Sequence, residues 1–331
     1  MFSNPFSPIF GGKPDVFFGR ERILNLFDYA MIDTGSDDRA IFITGTRGSG
    51  KTALLEQLSI RAAAKKRKVI DNLQPLFLEA CSDYKNGILV TVDEIQKVPA
   101  DDVSSLCNAF QMASRKGYDV MLAVAGLPYA YSSVIKHEGC TYLRRATHEE
   151  IGLFSWDETD DAFSSIFSGI KGLNISLRII EKLNHASYGH PYIMQLLGYH
   201  LILHINDHAQ GKQHSVTDDE AEFAIANAVF AYEQRALKPL IDELPSSAKT
   251  YLIKMSESLN SDRLADSSDI ARSLGVSQNK LSRPRAYLID HGIIASPEHG
   301  KVMFCVPYLA EYLKKEECIS DTITIARQRR V

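Results

Sequence analysis

A glycine-rich turn lies between a short apolar run and the start of an amphipathic helix, over residues 41–55. It satisfies the pattern G-x-x-x-x-G-K-[ST] through Gly45, Gly50, Lys51 and Thr52. The glycines of such a turn allow backbone N–H groups to point at one centre, in conformations that a side chain would obstruct. The helix that follows directs its unpaired N–H groups and its positive dipole end at the same centre. The pattern therefore predicts an anion-binding loop within a strand–loop–helix unit.

This loop predicts a binding site for a nucleoside triphosphate with Mg²⁺. Lys51 is expected to reach the β and γ phosphates and to act in catalysis, and the Thr52 hydroxyl is expected to bind Mg²⁺. A plain glycine turn is the alternative, but the position of the motif between an apolar run and a helix favours a nucleotide site. The expected nucleotide contacts are Gly45, Thr46, Arg47, Gly48, Ser49, Gly50, Lys51, Thr52 and Ala53.

Two adjacent carboxylates follow a second apolar run. Residues 87–92 suit a strand buried on both faces of a parallel sheet, and Asp93 and Glu94 come directly after them. Open α/β sheets bind their ligands at this end of the strands. We expect Asp93 to bind Mg²⁺ and Glu94 to polarise the attacking water as a general base. Many Asp-Glu pairs merely begin a loop, but downstream of a phosphate-binding loop the pair predicts hydrolysis.

Strand-like and helix-like segments alternate as far as residue 154. This alternation predicts an α/β fold with three layers and a parallel sheet, preceded by an extended arm over residues 1–16. Together with the glycine-rich loop, it predicts a P-loop NTPase domain. The predicted strands are residues 41–44, 68–71, 87–92, 119–126 and 149–154. The predicted helices include residues 51–65, 75–83 and 102–115.

From residue 155 the pattern changes to helices only. Residues 155–245 are expected to form an all-helical lid domain. Within it, Tyr188-Gly-His-Pro-Tyr192 leads into an apolar helix, and Pro191 fits the first turn of that helix. We interpret His190 as a residue at the helix start, with no catalytic role.

Residues 246–318 predict a winged-helix domain, followed by a basic tail over 319–331. Residues 269–282 suit a helix–turn–helix, and a hairpin is expected around Ser296–Pro307. Such a domain could contact DNA, although Pro284 is expected to kink the second helix and the domain is only slightly basic. A protein-contact module is the alternative. The candidate DNA contacts are Ser277, Gln278, Asn279, Lys280, Arg283 and Arg285.

The composition indicates the compartment of the protein and argues against some binding partners. The net charge is −4, so there is no overall attraction to nucleic acid or to anionic membranes. The five cysteines are scattered, without the spacing of a zinc or redox site, and they predict reduced thiols in the cytoplasm. Neither a secretory signal nor a membrane-spanning run is predicted.

Several motifs follow one another in a recognisable order, from about residue 16 to residue 316. They are Phe18-Gly19-Arg20-Glu21, Gly45–Thr52, Asp93-Glu94, Gly189-x-Pro191 and the winged helix. In this order the chain resembles the prokaryotic AAA-type ATPases related to the archaeal ATPase and STAND groups, near the origin-recognition-like AAA+ proteins. The phosphate-binding loop is generic, whereas the other elements make the resemblance more specific.

The resemblance implies further site residues. The adenine side of the nucleotide would be lined by Phe18, Gly19, Arg20 and Pro191, so that the lid senses the nucleotide. From its residues alone, the segment around Gly19 is equally typical of a plain helix N-terminus. Arg144 and Arg145 stand where relatives carry a box-VII arginine, which implies an arginine finger acting on a neighbouring subunit. The alternative is that both arginines stand at the C-terminal end of a helix, where a positive charge is favourable.

Three departures from the family pattern matter. The strand ending at Ala125–Leu127 lacks the polar sensor that many AAA+ ATPases carry there, which implies slow hydrolysis. The Gly-x-Pro element lacks the arginine of a typical second sensor, which implies a STAND-like switch. Lys51 and Asp93 are closer in sequence than this group leads us to expect, which predicts that a segment is missing near Asp71–Gln74.

Together these features predict a slow, Mg²⁺-dependent ATPase. Its nucleotide state would act as a conformational switch that couples the P-loop domain to the winged helix. The first alternative is an ATP-gated DNA-binding regulator or initiator. The second is a signalling scaffold that oligomerises on ATP, or that binds another protein.

Overall fold

The computed structural model describes residues 1–9, 16–71, 85–137, 139–140, 142–208 and 213–316. The chain divides into two compact units, Met1–Thr217 and Asp218–Val331. The predicted helix over 75–83, the predicted missing segment after Asp71 and the basic tail lie outside the described residues. Within those ranges, no helix is long and apolar enough to cross a membrane. The cysteines at 107, 140 and 305 are free thiols.

The first unit alternates strands and helices before it becomes mainly helical. Its elements are α1 (Glu21–Ala30), β1 (Ala40–Thr44), α2 (Lys51–Ala64), β2 (Lys68–Asp71), β3 (Ile88–Val92), α3 (Ala100–Arg115), β4 (Val120–Gly126), α4 (Pro128–Val134), β5 (Thr147–Glu150), α5 (Trp156–Ser168), β6 (Leu173–Asn174), α6 (Leu177–Ser187), α7 (Pro191–His208) and β7 (His214–Ser215). Single 3₁₀ turns occur at Asp37–Arg39, Ile95–Lys97 and Leu143–Arg145.

The central sheet has five parallel strands in the order β2-β3-β4-β1-β5. Side chains alternate between its two faces, as the period of a strand requires. Ile41 and Ile43 join a core with Leu54 and Phe27 of the helices on one face. Phe42 joins a second core with Phe110 on the other face. The predicted three-layer α/β fold with a parallel sheet is confirmed.

The strand order brings distant segments of the chain together. β4 lies between β3 and β1, and all three strands run in the same direction. Their C-terminal ends therefore meet at one edge of the sheet. The loop after β1 and the carboxylates after β3 both lie at this edge, on either side of the end of β4.

The predicted last strand is wrong in position, because β5 covers Thr147–Glu150 and not residues 149–154. Its register is set by β1, with Ile41 opposite Thr147 and Thr44 opposite Glu150. The N–H of Ile151 still donates to Thr44 O at 2.7 Å, after which the chain leaves the sheet. β5 is an edge strand with one neighbour, and all four of its residues are polar. It therefore lacks the apolar run that predicts a strand buried on both faces.

The helical part of the first unit contains one short sheet, so the prediction of helices only is wrong there. Leu173 and Asn174 pair in parallel with His214 and Ser215. An isolated pair of two-residue strands leaves no periodic pattern in sequence from which it could be predicted.

The N-terminal arm lies against α7. The ring of Phe6 is buried and packs against Phe163 and Phe167. A Cβ at Gly198 would lie 2.3 Å from this ring, so the glycine makes room for it. The side chains of Gln195 and Asn206 accept hydrogen bonds from backbone N–H groups of the arm.

The second unit combines helices with a small antiparallel sheet. Its elements are α8 (Asp218–Tyr232), a π-helical turn (Glu233–Leu237), α9 (Lys238–Glu243), α10 (Ser246–Glu257), β8 (Leu264–Asp266), α11 (Ser267–Ser273), a 3₁₀ turn (Gln278–Leu281), α12 (Ser282–Asp290), β9 (Ile294–Ala295), β10 (Lys301–Phe304) and helical backbone over 309–316. The sheet order is β8-β10-β9.

Pro284, which is expected to kink the second helix, lies in the first turn of α12. It is the third residue of the helix and is buried. In the first turn the missing N–H of proline has no intrahelical acceptor to lose, so the helix accommodates it.

Candidate functional site

The glycine-rich loop connects β1 to α2. Gly48 and Gly50 have φ values of 79° and 93°, in the left-handed region that favours glycine. A Cβ at Gly48 would lie 2.6 Å from Cε1 of His190. Gly45 is equally close-packed, because a Cβ there would lie 2.7 Å from the carbonyl oxygen of Ile151. The loop therefore takes its shape because glycine stands at these positions.

Lys51 directs its ammonium group into this loop. Its side chain is only 6% exposed, and Nζ donates to the carbonyls of Gly45 at 2.9 Å and Thr46 at 2.8 Å. Burial lowers the pKa of Lys51, and the charges of Glu94 and Asp93 oppose that shift. Ser49 Oγ is also buried, with no hydrogen-bond partner among the described residues. A buried cation and an unpaired hydroxyl in a glycine loop fit an anionic group such as a phosphate.

The predicted metal ligands are in direct contact. Thr52 Oγ1 donates to Asp93 Oδ2 at 2.5 Å, and the N–H of Glu94 donates to Asp93 Oδ1 at 2.8 Å. A hydroxyl and a carboxylate suit Mg²⁺, which takes few protein ligands beside phosphate oxygens and water. Accordingly, the described ranges contain no cluster of three or more His, Cys, Asp or Glu side chains able to hold a metal on its own.

Glu94 lies at the start of the 3₁₀ turn Ile95–Lys97, in the left-handed conformation with φ 51°. Its Oε2 accepts from Gln96 Nε2 at 2.9 Å and faces Lys97 Nζ at 3.1 Å. The other end of the Gln96 amide, Oε1, accepts from the N–H of Leu127 at 3.2 Å. The residue pattern does not single out Gln96, because its second partner is 31 positions away in sequence.

The turn before α7 packs onto the glycine-rich loop. His190 is 2% exposed, and its Nε2 donates to Arg47 O at 3.2 Å. Burial lowers the pKa of His190 to about 4. The ring is therefore neutral near neutral pH. Gly189 O accepts from the N–H of Phe154 at 2.8 Å, which holds the turn against the segment after β5. His190, interpreted from sequence as a plain helix-start residue, is thus the residue of this turn that contacts the loop.

The segment before α1 is held against an aromatic ring. Gly19 has φ 69°, and a Cβ there would lie 2.8 Å from the ring of Phe154. The Arg20 guanidinium lies 4.7 Å from the centre of the same ring and donates to Gly152 O. The group that packs directly against Gly19 is therefore the ring of Phe154. The contact of Phe18, Gly19, Arg20 and Pro191 with adenine stays a prediction.

The two candidate finger arginines lie in the 3₁₀ turn Leu143–Arg145 and are exposed. Arg144 Nε donates at 2.8 Å to the carbonyl oxygen of Ile135, the residue that directly follows α4. Their action on a neighbouring subunit stays a prediction.

The candidate DNA contacts surround the start of α12 in the second unit. Arg285 is partly buried, and its Nη2 donates to Ser296 Oγ at 2.7 Å, which links α12 to the hairpin. The remaining candidates are exposed: Ser277, Gln278, Asn279, Lys280 and Arg283.

Comparison with known proteins identifies the fold. Residues 234–313 match a family described as a domain of unknown function (DUF8462). No curated protein matches the sequence at a significant level. The solved structures that are similar over most of the chain include the following three. The Aeropyrum pernix ORC2 protein, solved as ADPNP–ADP complexes, is 14% identical over 89% of this chain and 93% of that chain, with a TM-score of 0.65.

The other two structures are similar to a lesser degree. A mutant form of Thermotoga maritima RuvB is 17% identical over 91% of this chain and 97% of that chain, with a TM-score of 0.53. Cdc6p from Pyrobaculum aerophilum is 13% identical over 92% and 95%, with a TM-score of 0.52. At such identities a similarity concerns the fold. The chain therefore shares the fold of the ORC2, Cdc6p and RuvB structures.

Proposed function

We propose that this protein binds ATP with Mg²⁺ at the glycine-rich loop and hydrolyses it slowly. The observation that carries the proposal is the convergence of four side chains at one edge of the parallel sheet. Lys51 and Thr52 come from the start of α2, and Asp93 and Glu94 come from the end of β3. The contact between Thr52 and Asp93 joins the two pairs. The ADPNP–ADP complexes of the ORC2 protein, which has this fold, support the choice of an adenine nucleotide.

Each of these residues would have its own role in phosphoryl transfer. Lys51 would leave the loop carbonyls and neutralise charge on the β and γ phosphates. Thr52 and Asp93 would hold Mg²⁺, which neutralises phosphate charge when bound. Glu94 would accept a proton from water as the water oxygen bonds to the γ phosphorus. The bond from the γ phosphorus to the bridging oxygen then breaks, and ADP and phosphate leave.

The contact of His190 with Arg47 supports a conformational switch. The phosphates are expected to bind the backbone N–H groups of the loop, and a change in loop conformation would move the carbonyl on which His190 is held. His190 immediately precedes α7, so that movement would reach the helical part of the first unit. We propose that nucleotide state is transmitted along this route and ultimately to the second unit, where residues 246–318 would act as a winged helix.

Glu94→Gln tests the hydrolytic part of the proposal. The amide cannot accept the proton, so phosphate release should fall by about 100-fold or more while ATP binding is retained. Both are measured on the full chain, by a phosphate-release assay and by calorimetric titration with ATP. Glu150→Gln is the matched control, because Glu150 is an exposed carboxylate at the same edge of the sheet. Equal rates for wild type and Glu94→Gln would exclude Glu94 as the base.

DNA binding by the second unit is a second candidate function. It is favoured by the exposed polar run from Ser277 to Lys280 and by Arg283 at the start of α12. Such a segment, ahead of a helix that is linked to a β-hairpin, suits the recognition helix of a winged-helix domain. In this reading ATP would gate DNA binding, and turnover would be incidental.

A further inference from the structure

Gln96 connects the carboxylate of Glu94 to the neighbouring strand of the sheet. Its side-chain nitrogen donates to Glu94 Oε2 at 2.9 Å, and its side-chain oxygen accepts from the N–H of Leu127 at 3.2 Å. Leu127 directly follows β4, whereas Glu94 and Gln96 follow β3. One amide therefore spans the ends of two adjacent strands.

The orientation of this amide follows from its partners. A backbone N–H can only donate, so the group facing Leu127 must be the amide oxygen. The amide nitrogen then has to face Glu94, where a carboxylate oxygen is a suitable acceptor. Neither hydrogen bond would survive a flip of the amide, so the two bonds hold the side chain of Gln96 in one orientation.

Gly126 provides the space that Gln96 occupies. A Cβ at this last residue of β4 would lie 2.8 Å from Gln96 Oε1 and 2.6 Å from Cβ of Ala130. A side chain on the end of β4 would thus displace the amide. At this point of the sheet, Gln96 supplies the polar side chain. The end of β4 has no side chain here, because its last residue is Gly126.

The same contacts reach the phosphate-binding loop. The N–H of Gly45, the first residue of the loop, donates to Gly126 O at 3.3 Å. Gly126 is followed by Leu127, which donates to Gln96, which in turn donates to Glu94. A continuous series of hydrogen bonds and one peptide unit therefore joins the loop to the carboxylate.

We infer that Gln96 is a positioning residue that holds Glu94 in the orientation required for catalysis and ties that orientation to the phosphate-binding loop. This inference rests on the proposed ATPase function. It assigns to Gln96 no contact with the nucleotide. Its contribution is the restriction of one carboxylate to a productive geometry, and loss of such restriction lowers the rate of the chemical step without weakening substrate binding.

The test compares the full-length wild type with Gln96→Met, which keeps the length of the side chain but forms neither hydrogen bond. The turnover number for phosphate release should fall by about tenfold or more, and the Kd for ATP should stay within about twofold. Gln111→Met, at a half-buried glutamine of α3, is the control for the same substitution elsewhere and should leave both values unchanged. Gln96→Ala replaces Gln96→Met if the latter does not fold.

A double variant separates positioning from a merely structural role. If Gln96 acts through Glu94, then Glu94→Gln with Gln96→Met should be no slower than Glu94→Gln alone. An unchanged turnover number in Gln96→Met, a parallel loss of ATP binding, or a further slowing in the double variant would overturn the inference. If wild type and Glu94→Gln release phosphate equally, Glu94 is not the base of the proposed reaction, and the inference about Gln96 is overturned for that reason.

Discussion

His190 is buried, and its ring contacts the glycine-rich loop. Its ring closes over Gly48, where a Cβ would collide with it, and holds the carbonyl of Arg47. Because burial lowers its pKa to about 4, the ring is uncharged over the physiological range and Nε2 carries a proton for the carbonyl. Protonation of the second ring nitrogen would place a charge in a buried site near Lys51. The contact between the loop and α7 therefore depends on a neutral ring.

This pKa predicts a pH-dependent stability. The unfolded state, with a histidine pKa of about 6.5, binds more protons than the folded state at any pH between about 4 and 6.5. The free energy of unfolding should therefore decrease as the pH falls through this range. Between about pH 7 and about pH 5, the wild type should lose about 2 kcal/mol more than His190→Gln.

Urea unfolding measures this difference. The single tryptophan, Trp156, lies in the same unit and reports on it by fluorescence. His137→Gln, which removes an exposed histidine from that unit, should behave as the wild type does. An equal pH dependence for wild type and His190→Gln would refute a buried neutral ring.

Residues with a local motif could be predicted from sequence, and residues defined by distant contacts could not. Lys51, Thr52 and Asp93 belong to patterns in which the residue type and its neighbours already imply a chemistry, and the fold brings them together as expected. Gln96 and His190 acquire their contacts only when residues far apart in sequence meet. A glutamine in a turn and a histidine before a proline have many ordinary explanations, so their residue types alone predict nothing specific.

At the scale of the element, the buried strands could be predicted and the edge strand could not. β1, β3 and β4 are buried along their whole length, so they appear in sequence as continuous apolar runs. β5 consists entirely of polar residues, so the sequence pattern places the strand too late in the chain, where Ile151–Phe154 form an apolar run outside the sheet. The apolar side chains of that run make tertiary contacts. Ile151 packs in the core, and Phe154 packs against Gly19.

The segment that includes Ser277–Lys280 and α12 provides an element-scale prediction. If it binds DNA, affinity for a random-sequence duplex should fall linearly with salt on logarithmic scales, with a slope of about −0.9 for each phosphate contact. Replacing Lys280 and Arg283 with glutamine should reduce that slope by about two. Lys254→Gln, on α10 and ion-paired with Glu257, is the control.

A titration of fluorescent duplex at several salt concentrations, with and without ATP, measures both slopes. Absence of binding at low salt in both nucleotide conditions would contradict DNA contact. A protein-binding role for the second unit would then be the better account.

At the scale of the whole molecule, the fold is retained where the sequence is not. An identity of 14% to the ORC2 protein coexists with similarity over 89% of this chain. Strand order and burial constrain many positions only to be apolar, and different residues satisfy that requirement. The site depends on fewer, more specific residues. For this reason the glycine-rich loop is evident in the sequence, while the fold of the chain around it is not.

Binding of ATP at the loop is the central claim, and Lys51→Ala tests it most directly. Calorimetric titration of the full chain with a non-hydrolysable ATP analogue and Mg²⁺ should give a Kd that rises by about tenfold or more in the variant, because the buried cation for the phosphates is lost. Lys65→Ala, at the exposed C-terminal end of α2, should bind as the wild type does. Equal affinity of wild type and Lys51→Ala for the analogue would contradict the proposed site.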